Sequence, residues 1–441
     1  MIPYSLPEYS VLFPPTVCLM ALRFLHFADL HLGVETYGRL DPQSGVNTRV
    51  QDFANCLAFV VDLALREQVD LVLFAGDAYK TCDPEPTYQR EFAQQLRRLR
   101  QAGIPVVLVV GNHDTPAAFG RATALDIFSV LELDNTHVIR RPELLRVETS
   151  HGPLQLAGLP WPTRHSLRTR DEYKDLSQEA LNREIQAICA AQIAEFARTL
   201  DPCLPAVFTA HLAAAEATYS GSERTAVIGQ DPVLLTSTLA NPAFDYVALG
   251  HVHKHQDLHP QAPPSVVYAG SIERLNFGEE RDPKGCCLVT IEASTSGERR
   301  TTWEFVPTPA RPFLTIEVEI PPGAADPTAC LLEAIAAHHL EGAVVRLTYP
   351  QPQAGNPPVD LARVRVALAA AHHLAGILPR LVTATRMRRA TVDRELDLSQ
   401  ALDRYIDNLP ELHDQRHALQ QYAGRLRQEL EAGDRQEDPQ P

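Results

Sequence analysis

Five times before residue 254 a short run of Val, Leu, Ile, Phe and Ala stops abruptly on Asp, Asn or His. Phe24-Leu25-His26-Phe27-Ala28 runs into Asp29-Leu30-His31, and Leu71-Val72-Leu73-Phe74-Ala75 into Gly76-Asp77. Ile104 to Val110 ends on Gly111-Asn112-His113-Asp114, Ala206 to Ala210 on His211, and Tyr246 to Leu249 on Gly250-His251-Val252-His253. Apolar runs of this length read as strands buried on both faces, as a parallel sheet requires. Their polar termini then collect at one sheet edge, where open α/β sheets hold ligands and catalytic groups.

Helical spacing fills the gaps between the runs. Phe53, Leu57, Val60, Val61, Ala64 and Leu65 recur at helical intervals, and Pro84 and Pro86 precede a helix over 87–100 that Gly103 ends. Further helices are expected over 116–131 and 177–200. Alternation of strand and helix predicts parallel sheet with covering helices. Short strands at 265–269, 286–292 and 301–306 then complete an α/β sandwich of two mixed sheets flanked by helices over 20–310. Pro307-Thr308-Pro309-Ala310-Arg311-Pro312 interrupts both kinds of regular structure and marks a boundary. Beyond it, strand, helix, strand, helix, strand over 313–320, 330–338, 343–349, 361–374 and 378–387 predict a small α/β domain spanning 311–390. Residues 391–431 read as amphipathic helix broken at Pro410, and 432–441 as a disordered polar tail.

A chain of 441 residues exceeds what one core usually organises, so several domains are expected. Its net charge of -15 argues against a generally basic, nucleic-acid-coating surface, while leaving room for a local basic groove. The eight cysteines form no C-x-x-C pair and read as reduced thiols of a cytoplasmic protein. No Lys or Arg precedes Arg23, and no apolar run reaches membrane-spanning length, so neither export nor a membrane is expected. Residues 1–19 lack periodicity, and translation is expected to start at Met20.

A single His or Asp at a strand end says little, but D-x-H, G-D, G-N-H-D, a strand-end His and G-H-x-H in this order say much. Two divalent cations about 3.5 to 4 Å apart need a carboxylate that bridges both and further oxygen and imidazole donors on either side. Asp29, His31, Asp77, Asn112, His211, His251 and His253 supply that set. Mixed imidazole and carboxylate suits manganese, iron or zinc better than magnesium, and manganese is expected. If the backbone is extended at His251 and His253, both side chains leave on the same side, each toward a different metal. His255, His259, His338-His339 and His372-His373 are assigned no metal, the last two pairs falling in predicted helices.

Over 22–311 these motifs resemble the calcineurin-like metallophosphoesterases and, among them, the SbcD family of nuclease subunits. The resemblance implies that Asp29, His31, Asp77 and His253 bind one metal and that Asp77, Asn112, His211 and His251 bind the other. It makes His113 the catalytic histidine, with Asp114 the nearest residue to orient it. It implies DNA exonuclease and endonuclease activity in repair and recombination. The small second domain becomes a DNA-capping domain. The C-terminal helices become the docking site for an SbcC-type ATPase, in a heterotetramer built on a homodimer of this chain and associated with the nucleoid. Three residues after the bridging aspartate this family commonly has Asp or His, whereas this chain has Lys80. A cation close to His113 would disfavour its protonated form. Lys80 reads either as a DNA-phosphate contact or as a solvated loop lysine. Arg90, Arg121, Lys254 and Arg274 are the other candidate DNA contacts. The motifs alone also fit a phosphodiesterase or phosphatase acting on nucleotides, small esters or phosphoproteins.

Overall fold

The computed structural model describes residues 21–116, 120–131, 135–164, 173, 176–221, 231–293, 298–321, 323–350, 357–380, 398–407 and 410–433. The expected extension over 1–19 and the tail beyond 433 lie outside the described residues. The chain divides into two compact units, one of residues 1–349 and 354–378, the other of 350–353 and 379–441.

The first unit runs β1 (Leu22–Phe27), α1 (Thr48–Arg66), β2 (Leu71–Phe74), α2 (Pro86–Gln101), β3 (Val106–Val109), α3 (Asp126–Val130) and β4 (Thr136–Ile139). The hairpin β5 (Glu143–Thr149) and β6 (Gly152–Leu159) leads through α4 (Gln178–Thr199) to β7 (Ala206–His211). A short pair follows, β8 (Ala213–Ala214) and β9 (Val233–Leu234), then β10 (Tyr246–Gly250), β11 (Gln256–Asp257) and β12 (Ser265–Tyr268). Strands β13 (Gly285–Ala293) and β14 (Arg299–Pro307) return to the first sheet. One six-stranded sheet has the order β14-β13-β1-β2-β3-β4 and the other β11-β12-β10-β7-β6-β5. Both are mixed: β1 to β4 are parallel with β13 antiparallel, and β6, β7, β10 and β12 are parallel with β5 and β11 antiparallel.

The two-residue alternation of a strand sorts its side chains into layers. Leu22, Phe24, Leu71, Leu73, Val107 and Val109 meet Leu154, Leu156, Val207, Tyr246, Ala248 and Val267 between the sheets. Their neighbours Leu25, Phe27, Val72, Phe74, Val106 and Leu108 face α1 and α2 instead. The outer face of the second sheet is covered by Leu181, Ile185, Cys189, Ile193 and Phe196 of α4. Asn47 starts α1 by accepting the Arg49 N–H at 2.9 Å, and Ser177 starts α4 through the Ala180 N–H at 3.2 Å. The helix expected over 116–131 shrinks to α3. The Asp126 carboxylate accepts the Thr123 N–H and the Thr123 hydroxyl accepts the Leu125 N–H, which holds the preceding residues in a turn.

His26 faces the inter-sheet core, where the Tyr246 hydroxyl donates to its Nδ1 and its Nε2–H donates to the Leu249 carbonyl, both at 3.2 Å. Burial lowers its pKa from 6.5 to about 3, so the folded protein holds it neutral while the unfolded chain takes a proton below about 6.5. Stability is therefore lost as pH falls from about 6.5 toward about 3, by roughly 2 kcal/mol at pH 5 from this group. Urea unfolding at a series of pH values should show a shallower acid slope in His26→Gln; equal slopes would remove His26 from the acid sensitivity.

After the proline-rich segment, β15 (Phe313–Glu317), β16 (Val344–Pro350) and β17 (His373–Arg380) form a three-stranded sheet in that order, with helices Pro327–Ala336 and Leu361–Ala367. The helix expected over 361–374 ends early and the last strand begins early, because His372 N–H donates to the Ala343 carbonyl at 2.9 Å. His373 is thus a strand residue and His372 directly precedes it; residues 381–387 of the expected strand lie outside the described residues. His372 Nε2 also meets Thr48 Oγ1 of α1 at 3.0 Å. In the second unit, helices Leu398–Asp407 and Arg416–Gly433 are tied by Gln420 Nε2 donating to Asp403 Oδ1 at 2.5 Å. Among the described residues no helix is long and apolar enough to cross a membrane.

Candidate metal centre

Strand register gathers the site. Phe27 lies opposite Phe74 and Phe74 opposite Leu108, so the segments leaving β1, β2 and β3 emerge at one edge; in the second sheet His211 lies opposite Gly250. At that edge Asp29, His31, Asp77 and His251 have φ of 53°, 49°, 62° and 100°. Left-handed backbone at non-glycine residues is strained, and such strain concentrates at functional sites. Glycine supplies the clearance around them. A Cβ on Gly111 would stand 2.1 Å from Asp77 Oδ1, and one on Gly76, at φ +102°, 2.3 Å from His211 Nδ1.

Three overlapping groups, Asp29 with His31 and His253, His31 with Asp77 and His113, and Asp29 with Asp77 and His211, each offer ligand atoms within 4.8 Å of one another. His31 Nε2 stands 2.9 Å from His253 Nε2, and Asp77 Oδ2 lies 3.7 Å from His31 Nε2 and 3.3 Å from His211 Nε2. Asn112 Oδ1 is 2.9 Å from His211 Nε2 and 3.1 Å from His251 Nδ1. All seven expected ligands are thus brought together, with Asp77 between the two halves. The Asp77 Oδ1 accepts the His113 N–H at 2.8 Å, while its Oδ2 is buried with no hydrogen bond. A buried carboxylate oxygen without a donor and two ring nitrogens 2.9 Å apart fit ligands converging on cations set beside them.

Burial alone would raise the pKa of Asp77, but the charges of His211 and His31 hold it well below the ordinary carboxylate range. Burial works the other way on His211, and the adjacent Asp77 overrides it, carrying the imidazole up to about 9. Burial and then the neighbouring His253 push His31 well down, and burial and then His211 lower His251 to about 3. Tautomers are set from behind: His211 Nδ1–H donates to the Ala75 carbonyl at 2.7 Å, which leaves Nε2 facing Asp77. The chain is not extended at His251, whose φ is 100°. The left-handed turn at His251 aims its ring at Asn112 and sends His253 toward His31.

Asp114 does not touch the His113 ring. Its buried carboxylate accepts backbone N–H groups from Asp77, Ala78, Tyr79 and Gly111 at 2.9 to 3.4 Å, fastening one ligand loop to the next. Burial and the Asp77 charge push it up to about 7. The exposed ring of His113 donates from Nδ1 to the Lys80 backbone carbonyl at 2.8 Å. The oriented tautomer therefore comes from the main chain at position 80, whatever the side chain. The Arg274 guanidinium donates to the carbonyls of Glu280, Arg311 and Asp282, so three of its N–H groups are occupied within the fold. Arg90 pairs with its neighbour Glu91 on α2. Lys80 and Lys254 form no ion pair among the described residues, and Arg121 lines a cavity beside the site.

Behind His253 lies a pair that the motifs did not reveal. His253 Nδ1–H donates to Glu279 Oε1 at 3.0 Å, and Glu279 Oε2 meets Lys284 Nζ at 2.8 Å. Lys284 also donates to the His253 carbonyl and to Ser271 Oγ. Burial would raise Glu279, but Lys284 and His253 draw it well below the usual range. A carboxylate fixing a ligand imidazole from behind typically contributes about 10- to 100-fold in metal affinity. Glu279→Gln should weaken manganese binding by about that factor in calorimetric titration; unaltered affinity would reduce Glu279 to a structural role.

The fold and this cluster define a metallophosphoesterase. The chain belongs to the calcineurin-like phosphoesterase family, which residues 22–255, more than half its length, match. It is 29% identical over 291 residues to the "Uncharacterized metallophosphoesterase YhaO" of Bacillus subtilis, an alignment covering 65% of this chain and 60% of that one. To the SbcD subunit of the nuclease SbcCD of Bacillus subtilis it is 28% identical over 66% of this chain and 71% of the relative. To the "DNA double-strand break repair protein Mre11" of Haloferax volcanii it is 30% identical over 68% of this chain and 55% of the relative. The chain thus spans 55% to 71% of the length of these three relatives.

Proposed function

We propose that this chain is a two-metal DNA nuclease, cutting phosphodiesters at duplex ends and in hairpins or single strands during repair and recombination. It would work as a homodimer within a heterotetramer, its C-terminal helices docked on an SbcC-type ATPase. The observation that carries the reading is the buried, donorless Asp77 Oδ2 between the His31 and His211 nitrogens. Asp29, His31, Asp77 and His253 would hold one cation, and Asp77, Asn112, His211 and His251 the other, with manganese suited to the imidazole-rich set. Such a pair supplies Lewis acidity toward the phosphate and lowers the pKa of water. His113 stands exposed at the mouth with Nδ1–H committed to the Lys80 carbonyl, so its Nε2 is the atom that moves a proton to the departing oxygen. The names of the relatives, an SbcCD nuclease component and a double-strand break repair protein, support DNA over other phosphoesters.

Labelled hairpin DNA and a small dye phosphodiester, each with manganese or with EDTA, test the proposal. Manganese-dependent DNA cutting is expected. Hydrolysis of the dye ester with DNA left intact would replace the reading with a phosphodiesterase for small substrates, and failure on both would leave a scaffold.

A further inference from the structure

Next to the metal ligands is a cavity of about 470 Å³ in which the proposed chemistry uses no residue. Its volume falls in the range of about 300 to 1,000 Å³ typical of small-ligand sites. The wall is apolar where Trp161 meets Ile185 and Ile188 of α4, and basic where Arg121, Arg140 and Arg141 reach it. Against a net charge of -15, three arginines on one cavity are a local reversal of sign. Arg140 is paired with Asp126 at 3.3 Å, and Arg141 and Arg140 both act electrostatically on the nearby Glu143 carboxylate, but Arg121 and Arg141 have no contact ion pair within the described residues. The cavity shares a wall with the metal centre. The Trp161 ring lies 4.9 Å from that of His251 and 6.1 Å from that of His211, and its backbone N–H donates to the Val110 carbonyl at 2.9 Å, two residues before Asn112.

We propose that this cavity holds one unstacked nucleotide of the substrate strand beside the phosphodiester being cut, its base on Trp161 and the α4 wall and its phosphate on Arg121 and Arg141. An aromatic face joined to arginines is the chemistry that grips single nucleotides without reading sequence. An apolar peptide would find no use for the guanidinium groups. The ligand class rests on the nuclease reading, but the cavity can be tested apart from it.

In Trp303→Phe protein, Trp161 is the sole tryptophan, and its fluorescence is titrated with dAMP in EDTA so that cations take no part. A saturable change is expected, with affinity lowered about tenfold or more in Arg141→Ala, as for the loss of one charge-assisted hydrogen bond. A similar loss is expected in Ile188→Glu, at a position 43% exposed where an acid repels phosphate without disturbing the core. In the manganese digestion assay the same variants should raise KM for hairpin DNA. Absence of a saturable change, or one that both variants leave intact, overturns the proposal. Nucleotide binding without DNA digestion would sink the nuclease reading alone, and digestion without nucleotide binding the cavity alone.

Discussion

Asp77→Asn is expected to lower metal-dependent phosphodiester cleavage by about a thousandfold or more, and the metal-free variant is expected to unfold at a lower denaturant concentration than the wild type near neutral pH. The magnitude follows from several kcal/mol of charge stabilisation per cation, each 1.36 kcal/mol being about tenfold in rate. The direction follows from the two carboxylate oxygens having different neighbours. Oδ1 accepts the His113 N–H, so the oxygen of an asparagine must remain there. Its amino group is then forced into the position of Oδ2, pointing hydrogens at His31 and His211. The bridge is thereby converted from an acceptor with negative charge into a donor with none. In the metal-free state the same exchange removes the negative charge that holds His211 protonated, so folding loses the stability that the depressed Asp77 and raised His211 pKa values represent near neutral pH. Calorimetric titration with manganese, turnover on hairpin DNA and urea unfolding in EDTA measure the three parts. Retained turnover would show that Asp77 is not the shared ligand.

Most of this site was legible because ligand identity and strand signal are both local. An apolar run followed at once by Asp, Asn or His specifies element and donor together, and parallel pairing brings the run ends to one edge without further information. What lay beyond reach depends on where a side chain spends its hydrogen bonds. Arg274 follows the metal motifs in sequence, yet three backbone carbonyls occupy its guanidinium. Asp114 adjoins His113 in sequence, yet its carboxylate turns inward to four backbone amides. Glu279 lies in a 3-10 turn over Phe277–Glu279, with no periodicity and no motif, and only the fold sets it against His253. Trp161 lies between Pro160 and Pro162 with no periodicity around it, and only the fold packs its ring on His251. The helix over 116–131 was overextended for a related reason: Thr123 and Asp126 favour local side-chain turns, which composition does not distinguish from helix.

A residue whose replacement should cost the fold several kcal/mol was not signalled by any motif. Arg49, fully buried near the start of α1, meets Asp52 Oδ2 at 2.8 Å and Glu273 Oε1 at 3.5 Å, and donates to the Arg274 carbonyl. Its guanidinium carbon lies 5.1 Å from the Phe53 ring and 5.4 Å from that of Phe313, the first residue of β15. Arg311 completes the network, reaching Asp52 with its side chain, Glu273 with its N–H and the Gly342 carbonyl with Nη1. The proline-rich boundary is consequently pinned to α1 by two carboxylates and two guanidinium groups. Arg49→Met leaves Asp52 with the Arg311 guanidinium and Glu273 with backbone N–H groups and the Cys56 thiol but no guanidinium, and breaking a buried pair from one side costs about 3 to 5 kcal/mol. Burial already raises the pKa of Glu273 against the pull of Arg49, and without Arg49 it rises further. A carboxyl whose folded pKa exceeds its unfolded one, near 4.5, destabilises increasingly as pH climbs from there toward the folded value. The deficit of Arg49→Met in urea unfolding should therefore be larger at pH 8 than at pH 5, and adding Glu273→Gln should recover part of it at pH 8 only. A loss under about 0.5 kcal/mol, the scale of an ordinary surface change, or one that is flat with pH, would mean that the surrounding aromatic rings and not the charges hold this junction together.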